Sequence, residues 1–340
     1  MKKVYCIALT LLVSIALGNT LQAKKNIQPT AEEKGLATIN RTSAEAFMNF
    51  LASDELEGRE AGWKGGRIAG NYIVSLLKSW GLQPVFEDYF QPFEAYRVER
   101  QKPGRLQVHP DSIAQICKGV HQKYSMRNVL VKIEGKKKDE IVVIGAHYDH
   151  LGYDPMLDGD KIYNGADDNA SGVTAVLQIA RAFLATGQQP ERTTYFAFWD
   201  GEEKGLLGSR YFAQVFPDMG KIKGYLNFDM IGRNNNEQHP KHVVYFYTES
   251  TPTFGEWLKS DVEKYQLQLE PNYRPWDKPV GGSDNGTFAK HDIPIMWYHT
   301  DGHPDYHLPG DEAAKINWEK LTEITKASFL GFWKMANLNF

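Results

Sequence analysis

Hydrophobic and polar positions follow two rhythms along the chain. Ile141-Val142-Val143-Ile144 is an unbroken run of β-branched residues and predicts a strand covered on both faces. Residues 193–199, 224–228, 243–247 and 293–298 also read as strands. Residues 173–184, 206–215, 254–265 and 318–335 place apolar side chains at helical spacing. Two earlier helices are predicted over 43–51, with Ser43 as its cap, and over 67–80, closed by Gly81. Together they form a helical lead-in over about 43–82. Residues 24–40 read as a loose polar segment, 86–133 as mixed and β-rich, and Lys136–Asp139 as a solvated turn. Strands alternating with helices predict an α/β class: a three-layer α/β/α sandwich around a largely parallel mixed sheet.

The first residues follow a different logic. Lys2-Lys3 is a basic start, residues 4–17 are almost all apolar, and Leu21-Gln22-Ala23 ends the run on a small residue. This is the three-part pattern of a secretory signal peptide over 1–23, and the apolar run is short for a membrane span. The expected mature chain, 24–340, is exported to the periplasm or the medium and carries no membrane span. Cys6 leaves with the signal, so Cys117 has no intramolecular disulfide partner. With 42% hydrophobic and 24% charged residues the chain is no disordered tail. Its net charge of −3, made more negative by loss of Lys2 and Lys3, supplies no basic face for nucleic acid.

In parallel sheets, sites form beyond the carboxyl ends of the strands. After Ile144 come His147 and Asp149, a metal-ligand histidine with an orienting carboxylate or a structural histidine. Asn164-Gly165-Ala166-Asp167-Asp168-Asn169 precedes a helix; Asp168 or Asn169 either caps that helix or turns toward a metal. After Trp199 come Glu202 and Glu203, which either favour the helix dipole or divide metal binding and proton transfer between them. Asp229 sits among apolar residues and needs a partner. The last strand is followed by His299, His303 and His307. Metal-compatible side chains at successive strand ends suit zinc, manganese or cobalt, and the excess of carboxylates suits two nearby cations.

From about Ser53 to the C-terminus these residues resemble a known family. The resemblance runs through Leu51-Ala52-Ser53-Asp54-Glu55-Leu56-Glu57-Gly58-Arg59, the His147–His150 segment, Gly165–Gly172, Asp200–Ser209 and Asn227–Arg233. The chain is similar to the zinc aminopeptidases typified by bacterial leucyl aminopeptidase, relatives of glutamate carboxypeptidase and the glutaminyl cyclases. The resemblance implies a zinc-exopeptidase fold, peptide substrates and two zinc ions. Asp168 would bridge the ions, with His147 and Asp229 on one and Glu203 and His307 on the other. Glu202 would be the general base, Asp149 would orient His147, and Asp311 would do the same for His307. Tyr306 would steady the tetrahedral intermediate. The stretch between the N-terminal helices and the central strands is too short for the protease-associated domain of many relatives.

No His-Glu-x-x-His and no Gly-x-Ser-x-Gly occurs, since Gly281-Gly282-Ser283-Asp284-Asn285 breaks the latter. The alternatives that share the fold are a glutaminyl cyclase and a carboxypeptidase or dipeptidase. The last would need a cation such as Arg233, Arg274 or Lys278 facing the substrate carboxylate.

Overall fold

The computed structural model describes residues 28–99, 104–277 and 282–340. The expected signal peptide and Lys278 lie outside them. Among the described residues, eight strands are of substantial length. These are β1 (Phe90–Val98), β2 (His121–Ile133), β3 (Lys137–His147), β4 (Arg192–Trp199), β5 (Ile222–Phe228), β6 (His242–Tyr247), β7 (Glu270–Pro275) and β8 (Ile295–His299). They lie in the order β2-β4-β3-β5-β8-β6-β7, and the far edge of β2 carries β1 and the short strand Gln83–Pro84. The centre, β4-β3-β5-β8, is parallel. Both flanks join it antiparallel, β2 on β4 and β6 on β8.

Six main helices cover the sheet: α1 (Arg41–Leu51), α2 (Lys64–Ser79), α3 (Gly172–Thr186), α4 (Leu207–Val215), α5 (Thr253–Tyr265) and α6 (Trp318–Asn337). Strand β3 shows why there are three layers. Val142, Ile144 and Ala146 join a core with residues of α1, α2, α3, α5 and α6. Ile141 and Val143 point the other way, toward Phe212 of α4 and Phe288. This follows from the period of two along a strand. Among the described residues no helix is long and apolar enough to cross a membrane.

The structure departs from expectation at three polar stretches. Within 24–40 a short helix, Ala31–Leu36, starts from a capping box of Thr30 and Glu33. The cap of α1 is Asn40, whose side chain accepts from the Ser43 amide, so the helix begins before Ser43. Lys136–Asp139 is no free turn: β3 already starts at Lys137, which pairs with Arg192 before an irregularity ends at Ile141. The lysines there stay exposed at the sheet's end, so their charge does not oppose the strand.

Gly145 is required by close packing under the future site. A Cβ there would stand 2.6 Å from Trp199 Nε1 and 2.7 Å from the Tyr225 hydroxyl. Those two atoms are hydrogen-bonded at 2.9 Å, and Tyr225 donates on to Asn227 at 2.8 Å. Gly145→Ala is expected to destabilise by about 1–3 kcal/mol through overpacking. Thermal unfolding checks this; an unchanged midpoint would show that the network yields freely.

Candidate metal centre

The carboxyl ends of the parallel strands converge on one cluster. His147 is the last residue of β3, and Glu202 and Glu203 follow β4. Asp229 follows β5, and His307 lies in the loop after β8. Asp168 comes from the turn that opens α3. Its two carboxylate oxygens face different partners. Asp168 Oδ1 lies 3.3 Å from His147 Nε2, which is also 3.7 Å from Asp229 Oδ1. Asp168 Oδ2 lies 3.2 Å from His307 Nε2, which is 3.3 Å from Glu203 Oε2. Glu202 Oε2 stands 4.0 Å from His147 Nε2.

These separations fit a metal. Two donors on one tetrahedral zinc lie about 3.3–3.5 Å apart, given metal–ligand bonds of about 2.0–2.2 Å. Hydrogen bonds between imidazole and carboxylate are shorter, about 2.7–2.9 Å. His147, Asp168 and Asp229 thus stand as one set of nitrogen and oxygen donors, all three buried. Asp168 Oδ2, Glu203 and His307 form a second set, beside which His150 also stands, its Nδ1 3.9 Å from Asp168 Oδ2.

The turn carrying Asp168 is held on every side. Asn169 donates to the Phe228 carbonyl at 2.9 Å and accepts from the Gly172 amide at 3.0 Å, so Asn169 tethers the start of α3 and leaves the Asp168 carboxylate to the cluster. Asp311 accepts from the amides of Asp167 and Asp168, each at 3.0 Å. The expectation that Asp311 orients His307 is therefore corrected: its carboxylate is spent on these amides. Asp167 turns away from the cluster and accepts from Gly232 at 2.5 Å. Gly165 has a φ of +54°, and a Cβ there would meet the Asp168 carbonyl at 2.1 Å. The Asp168–Asn169 peptide bond is cis.

Asp149 takes a different position from the one the motif suggested. Its Oδ1 accepts from the Glu202 amide at 3.0 Å. His147 Nδ1 is nearer to the Asp149 backbone carbonyl, 3.2 Å, than to the carboxylate, 3.7 Å. The residue thus touches both His147 and Glu202. Tyr306, 47% exposed, stacks on His307 with ring centroids 3.9 Å apart.

Sequence reasoning assigned no role to Arg59, although it lies in a quoted motif. It is fully buried, and its guanidinium donates to the carbonyls of Leu51, Tyr148 and Gly165 at 2.6, 3.0 and 2.8 Å, and to that of Asn164. Burial lowers its pKa to about 10, opposed by Asp168 and Asp311. Arg59→Met would leave these carbonyls unpaired and is expected to cost roughly 3–5 kcal/mol. Denaturant unfolding reads it; equal stability of the variant would mean the clamp is dispensable. Asp284 is the N-cap of a short helix, Asn285–Ala289. It is buried, and burial lifts its pKa to about 6. Arg59 carries no local sequence signal, because most of its partners are remote.

Hydrogen bonds to Asp168 and Glu203 raise the pKa of His307 to about 10 in the metal-free centre. The ring is therefore charged at neutral pH, whereas a metal-bound imidazole is neutral. Zinc loading at pH 7 is expected to release protons, and affinity should fall as pH is lowered. Calorimetry in two buffers of different ionisation enthalpy measures this; a heat independent of buffer would contradict it.

Imidazole and carboxylate donors at the carboxyl edge of an α/β sheet define the class of α/β metallopeptidases. The chain belongs to peptidase family M28, whose sequence model matches residues 128–330. It is 32% identical over 230 residues to leupeptin-inactivating enzyme 1 of Streptomyces exfoliatus, covering 61% of this chain and 48% of that protein. The chain thus spans about half the length of the curated relative it matches. Its fold matches the aminopeptidase LapA of Legionella pneumophila (TM-score 0.66, 20% identity, 91% of this chain and 75% of that one). It also matches a glutaminyl cyclase of Bacteroides thetaiotaomicron (TM-score 0.61, 18% identity, 87% and 98%).

Proposed function

We propose that this chain is an exported dinuclear zinc aminopeptidase. The observation that carries the reading is Asp168, with one oxygen turned to His147 and Asp229 and the other to His307 and Glu203. His147 and Asp229 would hold one zinc, Glu203 and His307 the other, and Asp168 would bridge them. Zinc held there supplies Lewis acidity to a water and to the scissile carbonyl.

Glu202 takes the proton of the attacking water on its carboxylate and returns it to the leaving amine. Asp149 positions that glutamate by accepting its amide hydrogen. The Tyr306 hydroxyl, whose ring stacks on His307, steadies the developing oxyanion. The basic and apolar pattern of residues 1–23 supports export.

Of the cations a carboxypeptidase would need, Arg233 is engaged within the fold, whereas Arg274 stays exposed. Arg233 is buried and donates to Asp305 at 2.7 Å, so it is not free to meet a substrate carboxylate. The test is mass spectrometry after zinc-loaded protein meets a free-amine peptide, its acetylated twin and a peptide starting with Gln. Stepwise loss from the free N-terminus alone is expected. Loss of ammonia from the Gln peptide would make it a cyclase, and C-terminal trimming of the acetylated peptide a carboxypeptidase.

A further inference from the structure

Both glutamates are fastened by the tetrapeptide that ends β3. Asp149 takes the amide of Glu202, and His150 meets the side chain of Glu203, with Nδ1 2.7 Å from Oε1. This distance differs in kind from those around Asp168. It is a hydrogen bond to a carboxylate, too short for two donors sharing one ion. The His150 side chain is wholly buried, and its Nε2 has no hydrogen-bond partner among the described residues. A proton on Nε2 would be a buried unsatisfied donor. With the proton on Nδ1, the short contact becomes a donated hydrogen bond and Nε2 is left as an unpaired acceptor, the smaller penalty of the two.

The ring is also held in place. Its own amide donates to the Arg59 carbonyl at 3.2 Å. One ring edge lies against Gly165, where a Cβ would stand 2.4 Å from His150 Cδ2.

We infer that His150 is a positioning residue that occupies Glu203 Oε1 and leaves Oε2 as the single oxygen offered to a metal. Oε2 is the oxygen that faces His307. The inference rests on the reading of Glu203 as a zinc ligand. Without the Nδ1–H donor, Glu203 is free to rotate or to bind through both oxygens. The main effect falls on the Glu203–His307 position, although His150 Nδ1 also stands 3.9 Å from Asp168 Oδ2.

The test compares His150→Leu with His150→Asn. The two side chains have similar size, but Asn places an N–H donor near the position of Nδ1. Zinc affinity is measured by competition with a chromophoric chelator, and ligand geometry from the visible spectrum of the cobalt-loaded protein. The wild type is expected to bind two ions. His150→Leu should weaken one of them by about 10–100-fold, the usual loss for a supporting partner of a ligand. Its cobalt absorption should weaken as the coordination number rises, and His150→Asn should recover most of both losses.

Equal behaviour of the Leu and Asn variants would overturn the inference, since ring volume alone would then matter. A long-range proton–nitrogen spectrum of the zinc-loaded wild type needs no variant. An Nδ1–H tautomer at His150 supports the inference and an Nε2–H tautomer overturns it. Fewer than two ions on the wild type would instead overturn the dinuclear reading beneath it.

Discussion

Glu202→Gln is expected to lower kcat by about 10²–10⁴-fold, the usual contribution of a positioned general base, with zinc content unchanged. The amide keeps the shape of the side chain and the backbone bond to Asp149. What it loses is the ability to accept a proton. Burial pushes the Glu202 carboxyl well above its ordinary pKa, with the attraction of His147 opposing and the repulsion of Asp229 adding. Cations held beside it would lower that pKa and keep the carboxylate ionised, as a base requires. Glu202 Oε2 is also 4.0 Å from His147 Nε2, wider than the contacts that Asp168 and Asp229 make with it. Steady-state kinetics and elemental analysis on one sample decide the matter. A variant stripped of both ions would place Glu202 among the ligands. A variant with full turnover would remove it from the reaction.

Asp168→Asn should act on both ions together. One amide cannot offer an anionic oxygen to each donor set, and its nitrogen repels a cation. The expected result is loss of both zinc ions at a free zinc concentration that saturates the wild type. Asp229→Asn is the comparison, because its oxygen reaches only the His147 side and one ion should remain. If Asp168→Asn binds as much zinc as the wild type, the carboxylate does not bridge. If it loses a single ion, the two sets are independent.

Much of this was legible in the chain itself because it is encoded locally. The β-branched run at 141–144 marks a strand by composition, and residues just beyond a parallel strand must lie at the sheet's carboxyl edge. His147, Glu202, Glu203 and Asp229 could be located from that rule alone. The antiparallel flanks were harder to foresee, since strand direction depends on how the chain returns and not on side-chain pattern. The partner of Asp311 was misjudged for a related reason. A carboxylate four residues after His307 invites a local pairing, but two backbone amides more than a hundred residues away compete better. Arg59 and His150 stood inside recognised motifs, yet their bonds are to carbonyls and carboxylates that only the folded chain brings near.

Arg59 has a consequence for the order of events during synthesis. The guanidinium is made early, but the Asn164 and Gly165 carbonyls that it gathers lie 105 and 106 residues further on. Asp311, which pins the other side of the same turn, follows Asp168 by another 143. An emerging chain can form α1 and α2 and then has to wait. Until the chain has emerged past Asp311, the cluster lacks His307 and the turn lacks Asp311. The centre is therefore a late product of folding, and a nascent or truncated chain ending before that loop lacks α6 as well as His307 and Asp311, and carries much of the sheet without a complete site.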